Sequence, residues 1–197
     1  LKLDVSLLLD VATGTADVAI LAAEMNDRVN VVGIDPSKKM LDIGKEKVLK
    51  KKMTERVQLL IGKAEDLSQF KEETFDHEIV SFGVRNFQNR EAGLKEMARG
   101  LRKNGRVAIL ELTGTDENEK GPLSTFRKLF ISTIMPFIGG LISGQRETYS
   151  YLHKSSESFP AKNAFANMLR GAGFNVISQE HLPPFGLGPL LTVAERA

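Results

Sequence analysis

The stretch Leu7-Leu8-Leu9-Asp10-Val11-Ala12-Thr13-Gly14-Thr15-Ala16-Asp17 decides the fold. An apolar run ends in an acid, a turn of small residues follows, and a helical pattern begins. A second apolar run, Val29 to Ile34, closes at Asp35. In an open α/β sheet this pairing holds a nucleoside-bearing cofactor: the turn lets backbone close on the ligand, and the acid ending the second strand takes the ribose hydroxyls. The turn reads Gly14-Thr15-Ala16 and lacks the G-x-G-x-x-G spacing that seats a pyrophosphate. That favours a ligand without a diphosphate, with S-adenosylmethionine the main candidate cofactor.

Outward from this stretch, strands and helices alternate, which predicts an α/β fold with a mainly parallel sheet. Strands are expected at Ser6–Val11, Asn30–Ile34, Val57–Ile61, His77–Phe82, Arg106–Leu112, Phe174–Gln179 and Leu190–Glu195. Helices are expected at Asp17–Met25, with Asp17 as a cap and Val18, Leu21, Ala22 and Met25 on one face, and at Ser37–Lys51, with Ser37 as N-cap and Met40, Leu41, Ile43, Val48 and Leu49 inward. Two more are expected at Arg90–Leu101 and Pro160–Gly171, and Asn104-Gly105 reads as a turn into the fifth strand. The Pro/Gly-rich link Pro183-Pro184-Phe185-Gly186 suggests a closing hairpin with the last strand antiparallel.

The 197 residues suit one domain with a sizeable core. Hydrophobic content of 42% and charged content of 26% are ordinary for a globular protein. A net charge of +2 is too small to argue for nucleic acid as a partner. No cysteine is present, which excludes disulfides, thiolate catalysis and cysteine-based metal sites and fits a cytoplasmic, reducing compartment. The lysine run Lys45 to Lys52 reads as the solvated face of a helix. The broken apolar stretch Phe126 to Ile142 reads as core helix, as a lid over a greasy substrate, or as a face lying on a membrane. The chain opens almost directly on its first strand, whereas domains of this type have a helical lead-in, so an N-terminal segment is expected outside these residues.

Ligands in such sheets lie outside the carboxyl ends of the strands, where strand order reverses. The residues there are Asp10 with Gly14 and Thr15, Asp35, Lys63-Ala64-Glu65, Ser81 to Asn86, and Glu111 to Thr113. Asp35 reads as the ribose acceptor, or as an acid stabilised at a helix N-terminus. Gly14 reads as a position needing φ > 0 or close ligand approach. Asp10 either faces the cofactor's ammonium group or bonds loop amides. Arg85 places a cation, and Asn86 an amide, at the site edge. His153 is a candidate general base or a solvated loop histidine; His77 and His181 read as structural.

Several motifs occur in one order: Asp10-Val-Ala-Thr-Gly-Thr-Ala-Asp17, Gly33-Ile-Asp35, Ser81-Phe-Gly-Val-Arg-Asn86, Gly105-Arg-Val-Ala-Ile-Leu-Glu111, Leu141-Ile-Ser-Gly144 and Tyr149-Ser-Tyr-Leu-His-Lys-Ser-Ser-Glu-Ser-Phe-Pro160. Together they resemble the ubiquinone/menaquinone-biosynthesis C-methyltransferases (the UbiE/MenG family) over nearly the whole chain. The resemblance implies a Rossmann-like class I methyltransferase. Its seven-stranded sheet runs in the order 3-2-1-4-5-7-6 with helices on both faces, and residues 114–160 form a helical substrate lid. It implies methyl transfer from S-adenosylmethionine to a ring carbon of a lipophilic, prenylated quinol. Such an acceptor leaves room for a peripheral membrane contact and a homodimer.

By that resemblance Thr15 contacts the cofactor, Asp35 holds the ribose, Lys63 and Ala64 flank the adenine, and Ser81 lines the cofactor floor. Arg85 assists deprotonation of the quinol, with His153 or water as the proton acceptor. Asn86, Tyr149, Tyr151 and Ser155 border the substrate. The chain departs from the family at Ala16, where a second glycine is usual and a methyl would crowd the cofactor. It departs again at Lys63, where an acid or amide usually accepts the adenine amino group and a lysine has no acceptor to offer. Lys103-Asn104-Gly105 stands for K-P-G-G, and Glu111-Leu112-Thr113 for E-x-S. A methyltransferase for another lipophilic small molecule, and a methyltransferase-like binding protein without catalysis, are the alternatives.

Overall fold

In the computed structural model, residues 6–113, 159–183 and 188–197 are described. In chain order they form β1 (Ser6–Val11), α1 (Asp17–Met25), β2 (Val29–Asp35), α2 (Lys38–Lys50), β3 (Val57–Ile61) and β4 (Phe75–Ser81). One turn of 3-10 helix at Val84–Asn86 leads to α3 (Arg90–Gly100) and β5 (Leu101–Glu111). Then come α4 (Lys162–Gly171), β6 (Phe174–His181) and β7 (Leu190–Arg196).

The strands make one seven-stranded sheet in the order β3-β2-β1-β4-β5-β7-β6. Neighbours from β3 to β5 pair in parallel, and β7 runs antiparallel to both β5 and β6. Two apolar clusters cover the two faces. Leu9, Val11, Ile34, Val80, Val107 and Ile109 of the sheet meet Leu94 and Met97 of α3 and Phe165 and Leu169 of α4. On the other face Val31, Val57 and Leu59 meet Ala19, Ile20 and Ala23 of α1 and Leu41 and Val48 of α2. The expected fold class and strand order are those observed.

Several local expectations are corrected. In α1 the inward residues are Ala19, Ile20 and Ala23, while Leu21 and Met25 are 53% and 79% exposed. Small side chains let this helix sit close to the sheet, so the larger apolar residues face out. In α2 Leu41 and Val48 are buried, whereas Met40, Ile43 and Leu49 are exposed, and Gly44 supplies the third inward position. Asp17 does not cap α1: Ala16 holds the N-cap position with no side-chain bond, and Asp17 lies in the first turn, where the helix dipole favours an acid. Ser37 does cap α2, accepting from the Met40 N–H. The expected turn at Asn104-Gly105 lies inside β5, which begins directly after α3. Pairing shifts from Phe75↔Leu101 to His77↔Arg106, so residues 102–105 bulge out, with Asn104 at φ 63°.

Candidate nucleoside site at the strand ends

β1 to β4 end level with one another: Val11 pairs with Ile34 and with Val80, and Asp35 pairs with Ile61. Strand order reverses between β1 and β4, the place where ligands bind in open α/β sheets. A cavity of about 240 Å³ opens there, lined by residues that include Ala12, Asp35, Lys63, Ala64, Gly83 and Asn86. It lies below the roughly 300–1,000 Å³ of typical ligand pockets, a size that suits the nucleoside end of a ligand.

The loop after β1 is built from left-handed residues, with φ of 57° at Ala12, 56° at Gly14 and 63° at Ala16. Gly14 has the positive φ its place in the motif predicts, and a β-carbon there would meet only Met40 Cε, at 3.7 Å. Its backbone N–H donates to Asp35 Oδ2 at 2.9 Å, and the Ser37 N–H donates to Asp35 Oδ1 at 2.8 Å. Asp35 thus joins the loop after β1 to the start of α2. Each of its oxygens still has a lone-pair direction for a further donor, so the carboxylate fits a ribose diol. Gly83 closes the opposite wall. A β-carbon there would stand 2.7 Å from Ala12 Cβ and 2.8 Å from Val80 Cγ1, so the loops after β1 and β4 approach only because position 83 has no side chain.

The expected site residues divide by place. Asp35, Lys63, Ala64 and Asn86 line the cavity together, and Gly14 touches it through Asp35. Asp10 lies behind the loop, 1% exposed, accepting from Thr13 Oγ1 at 2.6 Å. Burial pushes its carboxyl up to about 7, against the Thr13 hydroxyl and the Ala19 N–H, with the nearby Asp35 charge adding to the rise. Thr15 is turned toward α2: its hydroxyl donates to Asp17 Oδ2 at 2.6 Å and accepts from Lys47 Nζ at 2.9 Å. The Ala16 methyl is fully buried, against α2 near Gly44. Ser81 ends β4, half-buried.

Arg85 is no surface residue. Its side chain is 7% exposed and ion-paired through Nη1 with Glu111 Oε1, while its backbone N–H donates to Glu111 Oε2 at 3.1 Å. The guanidinium stands 5.4 Å from the centre of the Phe82 ring. Burial pushes the Glu111 carboxyl up, against the pull of Arg85. His77 is exposed on β4, and His181 Nδ1 lies 3.1 Å from the Gly188 carbonyl. Tyr149, Tyr151, His153, Ser155 and nearly all of the expected lid lie outside the described residues.

Three contributors were not foreseen in these roles. Glu65 Oε1 accepts from the backbone N–H groups of Gln88 (2.6 Å) and Asn89 (3.2 Å), joining the loop after β3 to the start of α3. Thr13 is the hydroxyl partner of Asp10. Lys47, read as part of a solvated run, reaches back to Thr15 and Asp17. The spacing Asp10-x-x-Thr13 is a local signal for the second; the other two are long-range and leave no mark on the sequence.

A sequence model of the ubiE/COQ5 methyltransferase family matches residues 2–187. A demethylmenaquinone methyltransferase of Bacteroides fragilis is 34% identical over 188 residues, spanning 95% of this chain and 75% of the relative. A ubiquinone/menaquinone biosynthesis C-methyltransferase UbiE of Geotalea uraniireducens is 38% identical over 171 residues, spanning 85% and 69%. Among solved structures, a SAM-dependent methyltransferase from Aquifex aeolicus superposes with a TM-score of 0.70 at 17% identity, covering 98% of this chain and 84% of that one. The [4+2]-cyclase SpnF superposes at 0.72 with 14% identity, covering 97% and 74%. These two likenesses speak for the fold alone, since one architecture hosts a methyltransferase and a cyclase. The family match over most of the chain and the close relatives go further: the chain belongs to the ubiE/COQ5 methyltransferase family.

Proposed function

We propose that this chain transfers the methyl group of S-adenosylmethionine to a ring carbon of a prenylated quinol, a reading supported by relatives named a demethylmenaquinone methyltransferase and a ubiquinone/menaquinone biosynthesis C-methyltransferase. The observation that carries this reading is the cavity at the strand-order reversal, with Asp35 at its rim and the Gly14 N–H fixed against it. When bound, the sulfonium supplies an electrophilic methyl. The chain's own residues then have three tasks. Asp35 accepts from the ribose diol, where bonds to an ionised carboxylate are strong. Backbone groups at Ala64 read the adenine edge, since Lys63 brings only donors. Arg85 stabilises the negative charge that develops on the quinol oxygen as its hydroxyl ionises, which raises the nucleophilicity of the ring carbon. Holding the two reactants in line accounts for the remainder.

A prenylated acceptor resides in lipid, so the reaction calls for a peripheral contact with a membrane surface. Among the described residues no helix is long and apolar enough to cross one.

Calorimetric titration with S-adenosylmethionine and S-adenosylhomocysteine tests the cofactor. Micromolar binding that disappears in Asp35→Ala is expected, and no binding to the unaltered chain would overturn the assignment. Transfer of labelled methyl to a chemically reduced, short-chain demethylmenaquinol then tests the acceptor; binding without any transfer would reject the quinol.

A further inference from the structure

We infer that Glu111 is the positioning residue of this site, holding the Arg85 guanidinium so that its Nε–H remains the donor for an anionic oxygen of the acceptor. The inference rests on the quinol reading above for the identity of that oxygen.

Glu111 ends β5, beside β4, where Ser81 pairs with Leu110. Both of its oxygens are spent on the same neighbour. Oε2 accepts from the Arg85 backbone N–H at 3.1 Å, and Oε1 accepts from Arg85 Nη1 and from the Leu112 N–H, the latter at 3.0 Å. The carboxylate therefore fixes the residue's main chain and one arm of its fork together, a two-point grip that a planar guanidinium suits and an ammonium does not. Phe82 covers the cation from one side. The side chains are 7% and 1% exposed, so water competes little for either.

That grip accounts for Nη1 and leaves Nε. Nε is buried, and among the described residues no acceptor reaches it. Buried donors in folded proteins are almost always satisfied, and an orphan calls for a partner or a role. In sequence Arg85 stands between Gly83 and Asn86, which both line the nucleoside cavity. An oxygen ligand that arrives there and carries developing charge would complete the set. Arginine stays protonated and accepts no proton, so its contribution is charge stabilisation. Such stabilisation depends on the donor being fixed in advance, and Glu111 does the fixing.

The test compares the unaltered chain with Glu111→Gln and Glu111→Asp, using S-adenosylhomocysteine binding, quinol methylation and the ¹H–¹⁵N resonance of Arg85 Nε, assigned by its loss in Arg85→Lys. In Glu111→Gln we expect cofactor affinity within about twofold and kcat lower by about tenfold or more, with a smaller change in KM for the quinol. The Nε resonance should shift, and its hydrogen exchange should quicken. Glu111→Asp keeps the charge beside Arg85 but withdraws it by one methylene. It should fold where Glu111→Gln does not, and show the same losses in smaller degree. A folded variant with unchanged kcat and an unchanged Nε resonance would overturn the inference. If the unaltered chain binds the cofactor yet methylates no quinol, the reaction reading fails alone, and the resonance comparison still decides whether Glu111 holds Arg85.

Discussion

The methyl of Ala16 lies 3.1 Å from where a β-carbon would stand on Gly44, so the loop after β1 and the middle of α2 interlock through an alanine and a missing side chain. Each residue is locally unfavourable. Ala16 holds a left-handed φ of 63°, which costs an L-residue roughly 1–2 kcal/mol. Gly44 interrupts a helix at roughly 1 kcal/mol relative to alanine. Together they let α2 approach the loop after β1, and the buried methyl recovers about 0.8 kcal/mol.

Gly44→Ala should therefore destabilise, despite its better helix propensity. The new methyl would stand 2.9 Å from Leu59 Cδ1, which can rotate away, and 3.3 Å from the Thr15 carbonyl carbon, which cannot. Overpacking costs of about 1–3 kcal/mol exceed the propensity gain. The expected net loss in urea unfolding is about 1 kcal/mol. The double variant Ala16→Gly/Gly44→Ala should regain at least half of it, because the methyl is only moved across the contact. A double variant no more stable than Gly44→Ala would show that the pair does not couple.

Asp10 should make the chain less stable as pH rises toward neutrality. Its carboxyl is pushed up to about 7 by burial, from an ordinary value of 3.8. The folded state thus holds a proton that the unfolded state has released. The resulting stability is fully present below about 3.8 and is lost as pH climbs through about 7. Unfolding of the parent and of Asp10→Asn, compared from pH 5 to pH 8, should show the parent losing ground by a few kcal/mol. Parallel curves would mean that Asp10 stays solvated in the folded chain.

Much of the frame is legible in the sequence because its strands end at acids and turns. The bounds of β1 and β3 fall at the residues predicted, and Gly14 has the left-handed φ that its place in the motif demands. The inner face of α1 is not legible, because apolar residues lie on its outer face as well. Ala19 and Ala23 are inside because they are small, while Met25 is outside. The Arg85–Glu111 pair and the reach of Glu65 to Gln88 join residues more than twenty positions apart. A pattern with a period of two or 3.6 residues holds no record of such contacts. Only the topology, by bringing β3, β4 and β5 to one edge, makes them neighbours.

Glu78 is a carboxyl in the wrong place for stability. It sits on β4 between Leu9 and Val107, 1% exposed, and among the described residues neither of its oxygens has a hydrogen-bond partner. Burial holds its pKa well above the ordinary value of 4.5, so it is carried protonated into the fold and penalises stability as pH rises. Glu78→Leu, which keeps similar volume, should raise stability at pH 8 by about 2 kcal/mol or more. The gain should shrink toward pH 5, where more of the parent's unfolded chain already holds the proton and folding has less to take up. Thermal unfolding at the two pH values measures both. A loss of stability at pH 8 would show that Glu78 has a partner worth more than its burial costs.

Glu65 should matter to the cofactor more than to the fold. Its Oε1 accepts from two successive backbone N–H groups, at Gln88 and Asn89, just before α3 begins. An acid at a helix N-terminus is also favoured by the dipole. Gln88 and Phe87 line the nucleoside cavity, and Glu65 lines it too, so this carboxylate is a strap across the cavity mouth. Removing it frees the 87–89 segment without opening the core, since α3 keeps its own cap from Asn89 to the Ala92 N–H at 3.0 Å. Glu65→Ala should weaken S-adenosylhomocysteine binding by about tenfold, the equivalent of one charge-assisted hydrogen bond of about 1.4 kcal/mol. Its thermal midpoint should shift by only a few degrees. Glu65→Gln retains the accepting oxygen and should recover most of the affinity. Calorimetry on the three chains separates the cases: full affinity in Glu65→Ala would reduce the strap to an ornament of the loop, whereas loss in Ala with recovery in Gln ties the wall of the cavity to the single oxygen that holds it.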